Sequence, residues 1–123
     1  MIHADTSALI GALTAERVAG PALRGFLRDG FRLGVSTIVL FEWWRGPRKR
    51  EELLDQETFF PAASAVSFGV REAEIAADLY RKARRPRARE ADIAIAACAI
   101  AQNAALWTLN RRDFADIPGL TVV

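Results

Sequence analysis

At 123 residues, 51% hydrophobic and 26% charged, the chain is long enough to bury a core and too apolar for disorder. No apolar stretch reaches the roughly 20 residues that cross a bilayer, and the N-terminus lacks a signal-peptide pattern, so one cytoplasmic domain over 1–123 without membrane contact is expected. The formal charge of +2 is too small to name a partner, the single cysteine, Cys98, excludes an internal disulfide or a Cys-rich zinc site, and the single histidine, His3, argues against a Ser-His-Asp or Cys-His triad.

In chain order, residues 2–4 read as a short strand and 7–13 as a helix opening behind Asp5. A second helix over 21–28 has Pro at its start and Gly30 beyond its end. Residues 33–35 form a short buried strand, and Ser36-Thr37 cap a helix over 38–45 that stops at Gly46-Pro47. A charged helix spans 49–58, and 65–66 are strand-like. Ser67 then caps a long amphipathic helix, 69–83, whose apolar face is set by Val70, Ala73, Ala77 and Tyr80 and widened by Ile75 and Leu79. The basic run 81–89, RKARRPRAR, fits either a solvated helix end and loop or a phosphate-contacting patch. An Ala-rich helix over 90–102 holds Cys98 as a small buried hydrophobe, a strand follows at 105–108, a turn at 110–114, and a last strand at 120–123. Strands alternating with helices imply an α/β fold with a short parallel sheet and helices on both faces. Such folds place ligands outside the carboxyl ends of their strands.

Four acids fall near those ends. Asp5 follows the first strand, Glu42 lies in STIVLFEWWRG, Asp92 heads the helix in EADIAIAACAI, and Asp113 follows the strand ending at Thr108. Each has an ordinary explanation: a helix cap for Asp5, a solvent-facing position for Glu42, a helix-dipole partner for Asp92, turn residues for Asp113 and Asp116. Together they demand more, because Glu42 and Asp92 adjoin strongly apolar segments, and an isolated buried carboxylate is costly unless it is paired or binds a cation. Oxygen ligands without His or Cys suit Mg²⁺ or Mn²⁺.

DTSALI, STIVLFEWWRG, ADIAIAACAIAQNAALWTLN and DFADIPGLTVV, in that order, cover nearly the whole chain, and the set resembles the PIN-domain ribonucleases, specifically the VapC toxins of type II toxin–antitoxin pairs. The resemblance implies an α/β/α sandwich with a metal-dependent RNA-cleaving site built from acids, and it carries Asp5, Glu42 and Asp92 onto that site. Many relatives place a fourth acid at the position of Asn110. Here that residue is an amide, and Asp113, three residues on, is the expected substitute, with Asp116 a weaker one.

On this reading Asp5 and Asp92 hold the principal metal, Glu42 binds or orients the attacking water, and Asp113, or water held by Asn110, completes the site. The hydroxyls of Thr6, Ser7 and Thr108 are expected to support Asp5, a helix N–H or a metal-bound water. Arg111 and Arg112 are placed either against RNA phosphate or in a solvated turn. The basic run before Asp92 would guide RNA to the site. Trp43 and Trp44 point about 100° apart on a helix, so one is expected in the core and the other partly covered by a loop or free to stack on a base or anchor a partner. The resemblance suggests an antitoxin lying across the surface around Trp43, Trp44 and Arg45, and a homodimer. The chief rival is a PIN-fold binding module without useful catalysis, which Asn110 favours. A phosphoacceptor domain lacks its late lysine, and a dinucleotide enzyme lacks G-x-G-x-x-G after the first strand.

Overall fold

The structure, a computed structural model, describes residues 1–14 and 17–123. Its sheet has β1 (Ile2–Ala4) in the centre, paired in parallel with β2 (Leu33–Gly34) on one side and β3 (Ala105–Trp107) on the other. All three residues of β1 are buried, as the middle strand of a parallel sheet covered on both faces must be. His3 is therefore an interior residue. Burial lowers its pKa to about 4, so the ring is neutral and packs as a core group. It lies across Gly34 on β2, where a Cβ would come within 2.7 Å of the ring, which is why that strand position has no side chain.

The strands expected at 65–66 and 120–123 shrink to single parallel bridges, Ser36 with Val66 and Leu106 with Val122. At the second, Leu106 alone makes both bonds: its N–H donates to Thr121 O and its carbonyl accepts from Val123 N, each at 2.8 Å. One pair of bonds extends the sheet without making a ladder.

The helices are α1 (Thr6–Leu13), α2 (Gly20–Arg28), α3 (Thr37–Arg45), α4 (Arg50–Phe59), α5 (Val70–Lys82) and α6 (Glu90–Ala101). Ser36 caps α3 as expected, its Oγ accepting from Val39 N at 3.2 Å. The expected cap at Ser67 is displaced: Gly69 is the N-cap of α5, and its N–H donates to Glu72 Oε1 at 3.1 Å. The face of α5 also differs from the expected stripe. Val70, Ala73 and Ala77 are exposed, whereas Glu72, Ile75, Ala76 and Leu79 face the protein, with Tyr80 half-buried beside them. Both stripes keep helical spacing. The one carrying Ile75 and Leu79 removes more apolar area from water than one of alanines, and it is the one turned inward.

Helix α6 packs against β3, α3 and α5, and most of its residues from Ile93 to Ala101 are buried. Cys98 is buried within it, and burial pushes the thiol up to about 11, so it serves as a hydrophobe and not as a nucleophile. Trp43, Phe60, Phe114, Leu9, Ile93 and Leu106 are the largest of the fully enclosed core side chains. Among the described residues no helix is long and apolar enough to cross a membrane. Because β1 has partners on both sides, with the next strand in sequence on one and β3 on the other, its carboxyl end is the switch point where sheets of this kind bind ligands. Asp5 is the first residue there.

Candidate active site

Asp5 is both cap and buried acid. Its Oδ1 accepts from Ala8 N at 2.9 Å, closing the first turn of α1, and from Ser7 Oγ at 2.7 Å. Its Oδ2 accepts from Thr108 Oγ1 at 2.5 Å. Asp5 is 4% exposed, and that burial raises its pKa; the three donors pull the other way, and the charge of Glu42 adds to the rise. Thr108 stands just past β3, where it also receives Asn110 N at 2.9 Å, while Ser7 Oγ receives Leu109 N at 3.0 Å. Ser7 and Thr108 thus bond Asp5, one of the partners expected for them, and the same two hydroxyls also fasten the segment after β3 to the head of α1.

Thr6 turns to a different acid. Its Oγ1 donates to Glu42 Oε1 at 2.5 Å, linking α1 to α3. Glu42 keeps only 18% of its side chain exposed, and its other oxygen lies 3.7 Å from the Arg45 guanidinium. The solvent-facing reading of Glu42 therefore does not hold. One turn of apolar neighbours puts Val39, Leu40 and Trp43 in the core and leaves Glu42 at its edge, bonded to Thr6 next to Asp5. Trp43 is fully buried, with Arg48 stacked on its ring at 4.1 Å, so it drops out of the surface expected to meet a partner. Trp44 is half exposed, its Nε1 donating to Gln56 Oε1 at 3.2 Å, and Phe41 beside it is exposed.

Asp92, in the first turn of α6, is half-buried, and its pKa is raised to about 6. Burial is the largest cause. The charges of Asp113, Asp5 and Glu42 follow in that order, and Arg89 opposes them. This electrostatic link joins all four expected acids. Asp113 is exposed at the end of the 3-10 turn Arg111–Asp113, and it is the acid whose charge Asp92 feels most. Asn110 caps that turn through its carbonyl, which accepts from Asp113 N at 3.0 Å. Arg111 and Arg112 are exposed on it.

Asp116 is taken up elsewhere. Its carboxylate accepts from Arg89 Nη2 at 2.6 Å and Arg89 Nη1 at 2.9 Å, and Arg89 holds it down at about 2. The basic run accordingly divides. Arg81 and Lys82 pair with Asp78, Arg89 is committed to Asp116, and Arg84, Arg85 and Arg87 are exposed. The role of Arg89 was hidden in the sequence, where it is one basic residue of six in the run 81–89 and its partner lies 27 positions away.

Among the described residues no group of three or more His, Cys, Asp or Glu side chains is arranged so that it could hold a metal ion as it stands. The donor chemistry nevertheless fits a hard divalent cation: the acids offer oxygen alone, and burial together with the neighbouring carboxylate charges raises Asp92 and Asp5, which a cation would relieve. Asp5 also retains acceptor capacity, since a carboxylate offers about four lone-pair sites.

Residues 2–120 match the family described as PIN domain. The chain is 35% identical over 121 residues to Ribonuclease VapC19 of Mycobacterium tuberculosis, covering 94% of both proteins. A toxin-antitoxin complex from Klebsiella pneumoniae superposes with a TM-score of 0.74 at 25% identity, over 99% of this chain and 97% of the other. VapBC2 from Rickettsia felis, bound to a DNA fragment from their promoter, gives 0.76 at 22% identity, over 100% and 98%. DNA-bound VapBC from Salmonella typhimurium gives 0.73 at 22% identity, over 99% and 96%.

Proposed function

This chain belongs to the PIN-domain family, as a member of its VapC type, and from that premise we propose that it is a Mg²⁺-dependent endoribonuclease acting as the toxin of a type II toxin–antitoxin pair in the cytoplasm. Mn²⁺ is an alternative metal. The observation that supports the reading is that acids from distant parts of the chain meet beyond β1: Thr108 bonds Asp5 and Thr6 bonds Glu42, while Asp92 is raised to about 6 by burial first and then by the charges of Asp113, Asp5 and Glu42.

Asp5 and Asp92 would hold the cation, which when bound lowers the pKa of water, offsets charge on the phosphate and aligns the attack. Asp5 contributes a fixed oxygen, since Ala8 N, Ser7 and Thr108 leave its carboxylate little freedom to rotate. Glu42 orients the attacking water. Thr6 sets that side chain from α1, so the water site and Asp5 are held by consecutive residues. Asp113 adds the fourth negative charge in place of Asn110. Arg111, Arg112 and the exposed Arg84, Arg85 and Arg87 supply phosphate contacts for RNA. Cleavage of structured RNA would arrest translation and growth.

Two partners belong to this reading. An antitoxin would cover the exposed Phe41, Trp44 and Arg45 of α3. A homodimer would use the outer stripe of α5, Val70, Ala73 and Ala77 with Phe68, which is apolar and exposed.

A labelled structured-RNA pool incubated with purified protein and Mg²⁺ tests the activity, beside Asp5→Asn, Asp92→Asn and an EDTA control. Cleavage by wild type alone, lost on chelation, is expected; cleavage that persists in both variants would remove this site. The second reading, a catalytically weak or inactive PIN-fold binding module, is favoured by the amide at Asn110. Growth arrest by the chain expressed alone, abolished by Asp5→Asn, would exclude it.

A further inference from the structure

The Arg89 guanidinium makes four contacts at the junction of three segments. Nη1 donates to the carbonyl of Arg84 at 2.9 Å and to Asp116 Oδ2 at 2.9 Å; Nη2 donates to Asp116 Oδ1 at 2.6 Å and to the carbonyl of Asp113 at 2.6 Å. Asp116 Oδ2 also accepts from Arg84 N at 3.4 Å. Arg89 is the N-cap residue of α6, three positions before Asp92, and its side chain is only 16% exposed. The same planar fork therefore grips the start of the helix that carries one acid and the backbone of another.

We propose that the Arg89–Asp116 pair is a positioning clasp for the metal centre, holding Asp113 against Asp92 so that Asp113 supplies the charge Asn110 lacks. The inference rests on the metal-dependent reading above. Asp113 itself has an exposed side chain, and its position comes from a 3-10 turn of three residues, too short to be stable alone. Two like charges brought together repel, and a turn free to swing would carry Asp113 away from Asp92. The clasp prevents that by bonding the carbonyl of Asp113, leaving its carboxylate unengaged. Arginine suits the task because its fork meets a carboxylate with two donors and still reaches two carbonyls; lysine has one nitrogen and cannot span all four acceptors.

Mn²⁺ binding, measured by calorimetry on the full chain, tests the clasp without needing turnover. Arg89→Gln, Arg89→Lys and Asp116→Asn are compared in the wild-type and Asp113→Asn backgrounds, each protein first shown to be folded by circular dichroism. The expected result is a loss of Mn²⁺ affinity of about tenfold in the wild-type background, the size typical of groups that orient a metal ligand, with no rescue by lysine. In the Asp113→Asn background the same substitutions should change affinity less than about twofold, because the group they position is already gone. Equal losses in both backgrounds would overturn the clasp, as a merely structural pair would weaken the site regardless of Asp113. Unchanged affinity in all three variants would overturn it too. If Arg89→Gln fails to fold, Asp116→Asn, which leaves both carbonyl bonds available to Arg89, still decides the comparison. Absence of Mn²⁺ binding by the wild type would remove the metal centre and this role with it, an outcome distinct from wild-type binding that the variants leave unchanged.

Discussion

Thr108 Oγ1 donates to Asp5 Oδ2 across 103 positions of sequence, joining the residue after the last ladder strand to the residue after the first. Both groups are buried, and the bond is one of three that favour the ionised form of Asp5 against the opposing effect of its burial. Parallel neighbours β1 and β3 end side by side, so residues far apart in the chain become adjacent at the sheet's carboxyl edge.

Thr108→Val keeps the shape and removes the hydroxyl. Asp5 then loses a donor and its pKa should rise further, while Asn110 N loses its acceptor. We expect the acid limb of the RNA-cleavage profile to move to higher pH, with a stability loss of about 1–3 kcal/mol in urea unfolding. An unshifted limb would mean that Thr108 does not support the ionised acid.

Asp92→Asn should stabilise the metal-free protein at neutral pH. The folded pKa of about 6 lies above the ordinary 3.8, so the folded state binds the proton more tightly, and ionisation costs folding free energy as pH rises between those values. His3 acts in the opposite sense over an overlapping range: its folded pKa of about 4 lies below 6.5, so stability falls as pH drops from 6.5 to about 4. The difference between wild type and Asp92→Asn isolates the carboxylate. With EDTA the variant should melt higher above pH of about 6, and the two should converge below 3.8. Mg²⁺ should raise the wild-type melting temperature and leave the variant's nearly unchanged. Equal melting at neutral pH without metal would show that Asp92 does not sit among uncompensated like charges.

Gly34→Ala should destabilise the sheet. The added Cβ would meet the His3 ring at 2.7 Å, and that ring is buried on the central strand with little room to retreat. Overpacking of this kind costs about 1–3 kcal/mol, readable as a lower urea midpoint at unchanged slope.

Cys98 should resist alkylation in the native protein at mildly alkaline pH and react once urea unfolds the chain. Its thiol is buried and pushed up to about 11, so little thiolate exists and none is accessible. Rapid labelling of folded protein would place α6 elsewhere than in the core.

Period and punctuation made most elements readable in the sequence. The bounds of α1, α2, α3 and α6 fall within one residue of expectation because caps, prolines and glycines act locally. The inward face of α5 was not readable, because two stripes had the same spacing and only packing against α6 could choose the larger side chains. The outer sheet segments are shorter than their residues suggest for a related reason: β-like residues promise a ladder, but pairing depends on what the neighbouring strand offers.

By itself, the sequence determined the parallel α/β class, the order of elements and the acids to watch at Asp5, Glu42 and Asp92, since periodicity and the cost of burying a carboxylate operate along one chain. Only the tertiary structure decided how those acids are served: Ser7 and Thr108 on Asp5, Thr6 on Glu42, and Arg89 drawing Asp116 out of the site while fixing the backbone of Asp113. Each of those choices except Ser7 joins residues at least 24 positions apart. A hydrogen bond is settled by distance and angle in space, and linear spacing carries no measure of either.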